Sequence, residues 1–213
     1  MNIPTVDIGC YVTGGDLQSD DVKQTVKLLH EAISEHGFCY LKNHGVPREL
    51  VENVLKSSRQ FFKLPCSTKL QFARPQDSDK NHGWVDLERE RHGQLYCSEH
   101  SDYGSITLLF QDSTGGLQIL GKDGEYHDVP RVPDAVLLNI GDLMQRWTAD
   151  KYPSTKHRVV VAQDALERRQ DRQSIAFFVQ PDNDALITCL DGSNKYPPIT
   201  SFDYLMQRYG VTY

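Results

Sequence analysis

From residue 105 to residue 181 the chain repeats one texture, short apolar runs separated by turn-forming residues. The runs are "SITLLFQ", "GGLQIL", "AVLLNIG", "HRVVVAQ" and "SIAFFVQP", with "STGG", "KDGE" and "PDNDA" among their flanks. Stretches this short, rich in β-branched and aromatic residues, read as strands. Strands so closely spaced must pair with one another to satisfy their backbone groups. A sandwich or barrel is the expected outcome.

Upstream the period changes. Val22, Val26, Leu29, Ala32 and Ile33 recur at three- and four-residue intervals, with Asp20 or Asp21 as N-cap and Gly37 as the stop. A helix is expected from Asp20 to His36. "FCYLKNHG" follows as a strand ending at an Asn43-His44-Gly45 turn. Pro47 suits the first turn of a second helix, whose stripe is Leu50, Val51, Val54, Leu55, Ser58, Phe61 and Phe62. Between Pro65 and Gly93 no period is sustained, and the stretch reads as connection. A short C-terminal helix is expected from about Ile199 to Tyr209. Together these describe an α+β chain in one compact unit, with an N-terminal helical region carrying one or two strands at 1–91 and a strand-rich region at 92–213.

Twenty-three basic against twenty-nine acidic residues leave a formal charge of -6, with no basic cluster long enough to follow a phosphate backbone. Nucleic acid is not an expected partner. No apolar run approaches the roughly 18 residues of a membrane span. "MNIPTVDIGC" lacks the cationic and apolar regions of a signal peptide. A monomeric, cytoplasmic protein is expected. Cys10, Cys39, Cys66, Cys97 and Cys189 are scattered without a CxxC pair, and reduced thiols are expected, with Cys39 or Cys189 as core filler.

His100 and Asp102 stand two places apart just ahead of "SITLLFQ". On an extended chain such residues project to one face, so imidazole and carboxylate could share a metal, although alone they read more readily as a surface pair at a strand end. His157 heads "HRVVVAQ" and is the natural third ligand. Two histidines and a carboxylate form the facial set that holds non-haem Fe(II), leaving adjacent positions for substrates and dioxygen. A zinc hydrolase could use the same three residues. Arg172 and Ser174 are again two apart, offering a planar fork of donors and a hydroxyl to a carboxylate. An arginine facing into a barrel needs an anion, and a diacid cosubstrate would be one, whereas a hydrolase needs no such clamp.

Several other residues read as structural. Gly104, Gly115, Gly116 and Gly141 suit turns or close backbone approach, and Asp142 suits a turn. His44 is expected to make a local hydrogen bond. Trp147, Phe177 and Phe178 are expected in the core, at strand-like positions. Tyr103 should point away from the face of Asp102.

The order H-x-D, then H, then R-x-S at successive strand starts resembles the Fe(II)- and 2-oxoglutarate-dependent oxygenases, in particular their isopenicillin N synthase-like branch. Further landmarks are "IPTVDIG", "GFCYLKNHGVP", "HSDYGSITLLFQD", "GGLQIL", "NIGDLMQRWTAD", "STKHRVVV" and "RQSIAFFVQPD". The resemblance implies that region 92–213 is a double-stranded β-helix, or jelly roll, with the N-terminal helices packed on it. It implies that His100, Asp102 and His157 hold Fe(II) and that Arg172 with Ser174 binds the distal carboxylate of 2-oxoglutarate. It also implies a dioxygenase that oxidises a small organic molecule, by hydroxylation or desaturation, with release of succinate and CO2.

The chain departs from the family in one place. The segment between the "NHG" turn and the H-x-D strand is much shorter than usual and lacks a barrel strand that in relatives brings a tyrosine or asparagine near the keto acid. Tyr96 is the nearby candidate to replace it. A barrel lacking a strand exposes an unpaired edge. The alternative reading is therefore a non-enzymatic or impaired relative that keeps metal and keto-acid binding.

Overall fold

The computed structural model describes residues 1–75, 83–85, 95–160 and 171–212, the side chains of 95, 96, 211 and 212 excepted. Strand β1, Thr5–Asp7, and a short helix α1, Gly9–Val12, lead into the long helix α2, Asp20–His36. Strand β2 is Phe38–Lys42, and helices α3, Arg48–Phe62, and α4, Cys66–Lys69, follow. The β-rich part runs β3 Leu95–His100, β4 Ile106–Gln111, β5 Leu117–Leu120, β6 Tyr126–Asp128 and β7 Ala135–Ile140. Helix α5, Asp142–Trp147, then precedes β8 His157–Val160 and β9 Ser174–Val179. A hairpin of β10, Leu186–Ile187, and β11, Ile199–Thr200, leads to helix α6, Ser201–Thr212.

Two sheets form the sandwich. One has the order β1-β2-β7-β4-β9 and the other β3-β8-β5-β6, antiparallel throughout apart from the β1–β2 pair. Period-two alternation sorts the apolar residues of the larger sheet to its two sides. Cys39, Leu41, Val136, Leu138 and Ile140 pack with Ala32 and Ile33 of α2. Phe38, Tyr40 and Leu137 point the other way, onto Leu117 and Ile119 of the smaller sheet. Phe38, Leu137 and Ile119 are fully buried, each contributing about 1.5–3 kcal/mol of transfer free energy.

Helix α2 forms where the period places it, but Ser19 is its N-cap rather than Asp20 or Asp21. The Ser19 hydroxyl accepts from the Val22 N–H at 3.3 Å, and both aspartates sit in the first turn, where they favour the helix dipole. Gly37 ends it in the left-handed region at φ 70, and a Cβ there would lie 2.1 Å from the Pro153 carbonyl oxygen. Helix α3 half-buries Val51, Leu55, Ser58 and Phe61, while Leu50, Val54 and Phe62 remain exposed.

Other expectations are corrected. Helix α4 and a 3-10 turn at Leu70–Phe72 occupy part of the stretch read as connection; the part from 86 to 93 lies outside the described residues. The C-terminal helix begins at Ser201, because Ile199 and Thr200 pair with Ile187 and Leu186. Trp147 ends a short helix instead of lying on a strand. Phe177 and Phe178 are not core residues but 61% and 59% exposed. Their strand β9 is last in its sheet, with β4 on one side and, among the described residues, no partner strand on the other. No helix among the described residues is long and apolar enough to cross a membrane.

Candidate active site

Strands β3 and β8 run antiparallel in a register that sets His100 opposite His157, with ring centroids 4.3 Å apart. After His100 the chain leaves the smaller sheet, turns through Ser101–Ser105 and enters the larger one as β4. His100 and Asp102 therefore do not share one strand face, as the extended-chain argument supposed. The turn nonetheless returns Asp102 to the histidines. Its Oδ1 lies 3.7 Å from Nε2 of both, and the three donor atoms all lie within 4.8 Å of one another. At 3.7 Å these are not hydrogen bonds.

The rest of each of these side chains is already engaged. His100 Nδ1 lies 2.8 Å from the Ser98 carbonyl and His157 Nδ1 lies 3.2 Å from that of Thr155. Carbonyls only accept, so Nδ1 carries the proton and Nε2 is the atom turned to the centre. Asp102 Oδ2 accepts from Thr107 Oγ1 at 2.5 Å and from Asn139 Nδ2 at 2.7 Å, leaving Oδ1 to face the imidazoles. Thr107 and Asn139 are buried on β4 and β7. The smaller sheet thus carries both histidines while the larger sheet holds the carboxylate.

The surroundings of the two rings differ. The Cys97 sulfur, 3.5 Å from Nδ1, together with the Ser98 carbonyl and Asp102, holds the His100 pKa up at about 9 against the effect of burial. Burial and then the neighbouring His100 push His157 down. His157 is walled in by the edge of Phe38, whereas the His100 side chain is 36% exposed and marks the open side.

Arg172 and Ser174 meet at the other end of β8. Arg172 Nε donates to the Gly115 carbonyl at 2.7 Å and Nη1 to Ser174 Oγ at 3.2 Å. The Gly116 carbonyl in turn accepts from Val160, three residues beyond His157. Gly115 and Gly116 both have positive φ, as a tight turn requires, and a Cβ on Gly116 would lie 2.4 Å from the Val160 carbonyl oxygen. Asp112 fixes the neighbouring backbone through the Thr114 N–H at 2.9 Å and the Gln173 N–H. Tyr96 lies on β3, but its side chain is outside the described residues.

Sequence reasoning missed Thr107 and Asn139. The signal was a lone amide in "AVLLNIG" and a threonine set among the apolar residues of "SITLLFQ", each needing a polar partner once its strand is buried. Asp142 opens α5 instead of forming a turn. His44 does make the local bond, accepting from the Val46 N–H at 3.2 Å.

Residues 70–181 match the 2OG-Fe(II) oxygenase superfamily, and residues 3–113 match the family described as non-haem dioxygenase in morphine synthesis N-terminal. The chain belongs to the 2OG-Fe(II) oxygenase superfamily. The Fe(II) and 2-oxoglutarate of that family fit what is present here, two imidazole nitrogens and one carboxylate oxygen in a half-closed cluster, with an arginine and a hydroxyl paired at the start of β9. The zinc-hydrolase alternative is set aside.

The 2-oxoglutarate-Fe(II) type oxidoreductase ppzD of Metarhizium majus is 41% identical over 58% of this chain and 38% of its own length. The chain thus spans well under half of that relative. A UPF0676 protein of Schizosaccharomyces pombe is 25% identical over 93% of this chain and 91% of its own, in an alignment of 297 residues. That alignment is longer than the chain, so the relative carries residues with no counterpart in this oxygenase. A full-length Neurospora crassa protein, solved in complex with alpha-KG, superposes with a TM-score of 0.80 at 25% identity, covering 99% of this chain and 96% of that one.

Proposed function

We propose that His100 Nε2, Asp102 Oδ1 and His157 Nε2 hold Fe(II), that Arg172 and Ser174 receive the distal carboxylate of 2-oxoglutarate, and that the chain hydroxylates or desaturates a small organic molecule. When bound, the iron and keto acid supply an oxidant from dioxygen and release succinate and CO2. The chain's own part is to position and exclude. Thr107 and Asn139 orient the carboxylate, two backbone carbonyls fix the imidazole tautomers, and Phe38 closes the buried side. The observation that carries this reading is the convergence of the three donor atoms within 4.8 Å. On the same reading the oxygenase core is 92–213, set against a helical region 1–91, and the protein acts in the cytoplasm as a monomer without nucleic-acid partners. Tyr96 is retained as a candidate contact to the keto acid.

Anaerobic titration with Fe(II) and then 2-oxoglutarate, followed by the visible charge-transfer band of the chelate, tests the assignment. The band should appear with both added and be absent with either alone; a folded chain that never develops it overturns the reading.

The flank of β9 that has no partner strand among the described residues favours a second reading, in which binding survives but productive oxidation does not. The two separate on stoichiometry. Succinate matched by oxidised product supports the enzyme, and slow succinate that no candidate substrate accelerates supports the impaired relative.

A further inference from the structure

The turn that carries Asp102 is gripped from two sides. On one side the start of α5 donates backbone amides, Asp142 N–H to the Asp102 carbonyl at 2.7 Å and Gly141 N–H to that of Ser105 at 2.9 Å. The fit is close, since a Cβ at Gly141 would lie 2.2 Å from the Gly104 carbonyl oxygen. On the other side stands α6. Arg208 Nη2 lies 2.8 Å from Asp142 Oδ2, and its guanidinium carbon sits 4.9 Å from the centre of the Tyr103 ring. Tyr209 meets that ring edge-on, with centroids 6.0 Å apart. Asp142 Oδ2 also accepts from Ser101 Oγ at 3.2 Å. Arg208 is thereby tied to the residue before Asp102 through Asp142 and to the residue after it through Tyr103.

We propose that Arg208 is a positioning residue for Asp102, so that the C-terminal helix completes the metal centre without contributing a ligand. Thr107 and Asn139 orient the carboxylate group, but the backbone that presents it is fixed by the α5 amides and by this latch. The Asp142 side chain is only 15% exposed and its ion pair with Arg208 is short, so the contact is charge-assisted and poorly screened. Groups bonded directly to a metal ligand contribute about 10- to 100-fold to affinity through the orientation they impose, and Arg208, one contact further out, acts at the lower edge of that range.

This inference rests on Asp102 being a ligand, and cobalt(II) separates the two questions. The full chain is titrated with Co(II) alone and read by its visible d–d absorption and by the dissociation constant. Arg208→Ala should weaken Co(II) binding by about tenfold and alter the band, the lower edge of an outer-contact effect. Arg208→Lys keeps the charge but not the planar stacking on Tyr103, and should recover part of the loss. Asp142→Asn combined with Arg208→Ala should be no worse than the weaker single variant, because both remove one contact. Arg146→Ala cuts a different tie to the C-terminal segment, the 2.6 Å bond to the Pro197 carbonyl, and should leave Co(II) affinity unchanged. If Arg208→Ala does not fold, Asp142→Asn tests the contact from its other end against the same tenfold loss. A parent chain that takes up no cobalt overturns the ligand assignment itself. A parent that binds cobalt no better than Arg208→Ala, or an equal loss in Arg146→Ala, overturns the positioning role alone.

Discussion

Asn139 donates from near the C-terminal end of β7 to the outer oxygen of Asp102 across 2.7 Å, and Thr107 of β4 shares that oxygen. A buried amide in an apolar strand is stable only when so engaged, and here its partner is the carboxylate that faces both histidines. Asn139→Ala and Thr107→Val should each weaken Fe(II) binding by about 10- to 100-fold while the ligands stay in place. Anaerobic calorimetry measures this, and affinities equal to the parent would mean the two contacts only satisfy the strand.

Removing a ligand should do more. His100→Ala, Asp102→Ala or His157→Ala leaves two donors without facial geometry, and the loss should exceed the roughly 100-fold of an outer-contact change. Stoichiometric iron in a folded His100→Ala/Asp102→Ala double variant would remove the triad assignment.

Arg172→Ala should separate cosubstrate from metal. Loss of a charge-assisted contact of about 2 kcal/mol corresponds to roughly 30-fold weaker 2-oxoglutarate binding, with Fe(II) affinity unchanged. Equal keto-acid affinity in the variant would show that Arg172 serves only its bonds to Gly115 and Ser174.

Cys39 supplies a pH prediction. Burial pushes its thiol from 9.0 up to about 12. The folded state therefore keeps a proton that the unfolded chain releases above pH 9, so stability is fully present below that value and falls as pH rises toward 12, by about 1.4 kcal/mol per pH unit. Denaturant melts between pH 8 and 10.5 should show this decline, and Cys39→Ala should flatten it. At pH 8 a thiol reagent should label exposed Cys66 and Cys97 but spare Cys39 and Cys189 until the chain unfolds.

Helix α2, strands β4, β5, β7, β8 and β9 and the grouping of His100, Asp102 and His157 were legible in the sequence because each rests on a local signal: a three-to-four period, an apolar run with flanking turns, or a polar residue at a strand head. What was not legible depends on pairing. That His100 and Asp102 sit on either side of a sheet-to-sheet crossing follows from the β3–β8 and β4–β7 registers, which "CSEHSDYGSITLLF" cannot disclose. Phe177 and Phe178 carry the same apolar signal as core residues, yet they lie exposed on the last strand of their sheet among the described residues. Asp142 looked like a turn former because its partner Arg208 lies a whole hairpin and helix away.

The division of the site between two layers has a mechanical consequence. The imidazoles ride on the smaller sheet and the carboxylate is bolted to the larger, so an ion held by all three rivets the layers together at one rim. Any slide of one layer over the other lengthens the Asp102 distances first. The metal is then a gauge of interlayer spacing as well as a reagent, and every binding event tightens the sandwich by the free energy of occupancy, about 2.7 kcal/mol when free metal stands 100-fold above its dissociation constant.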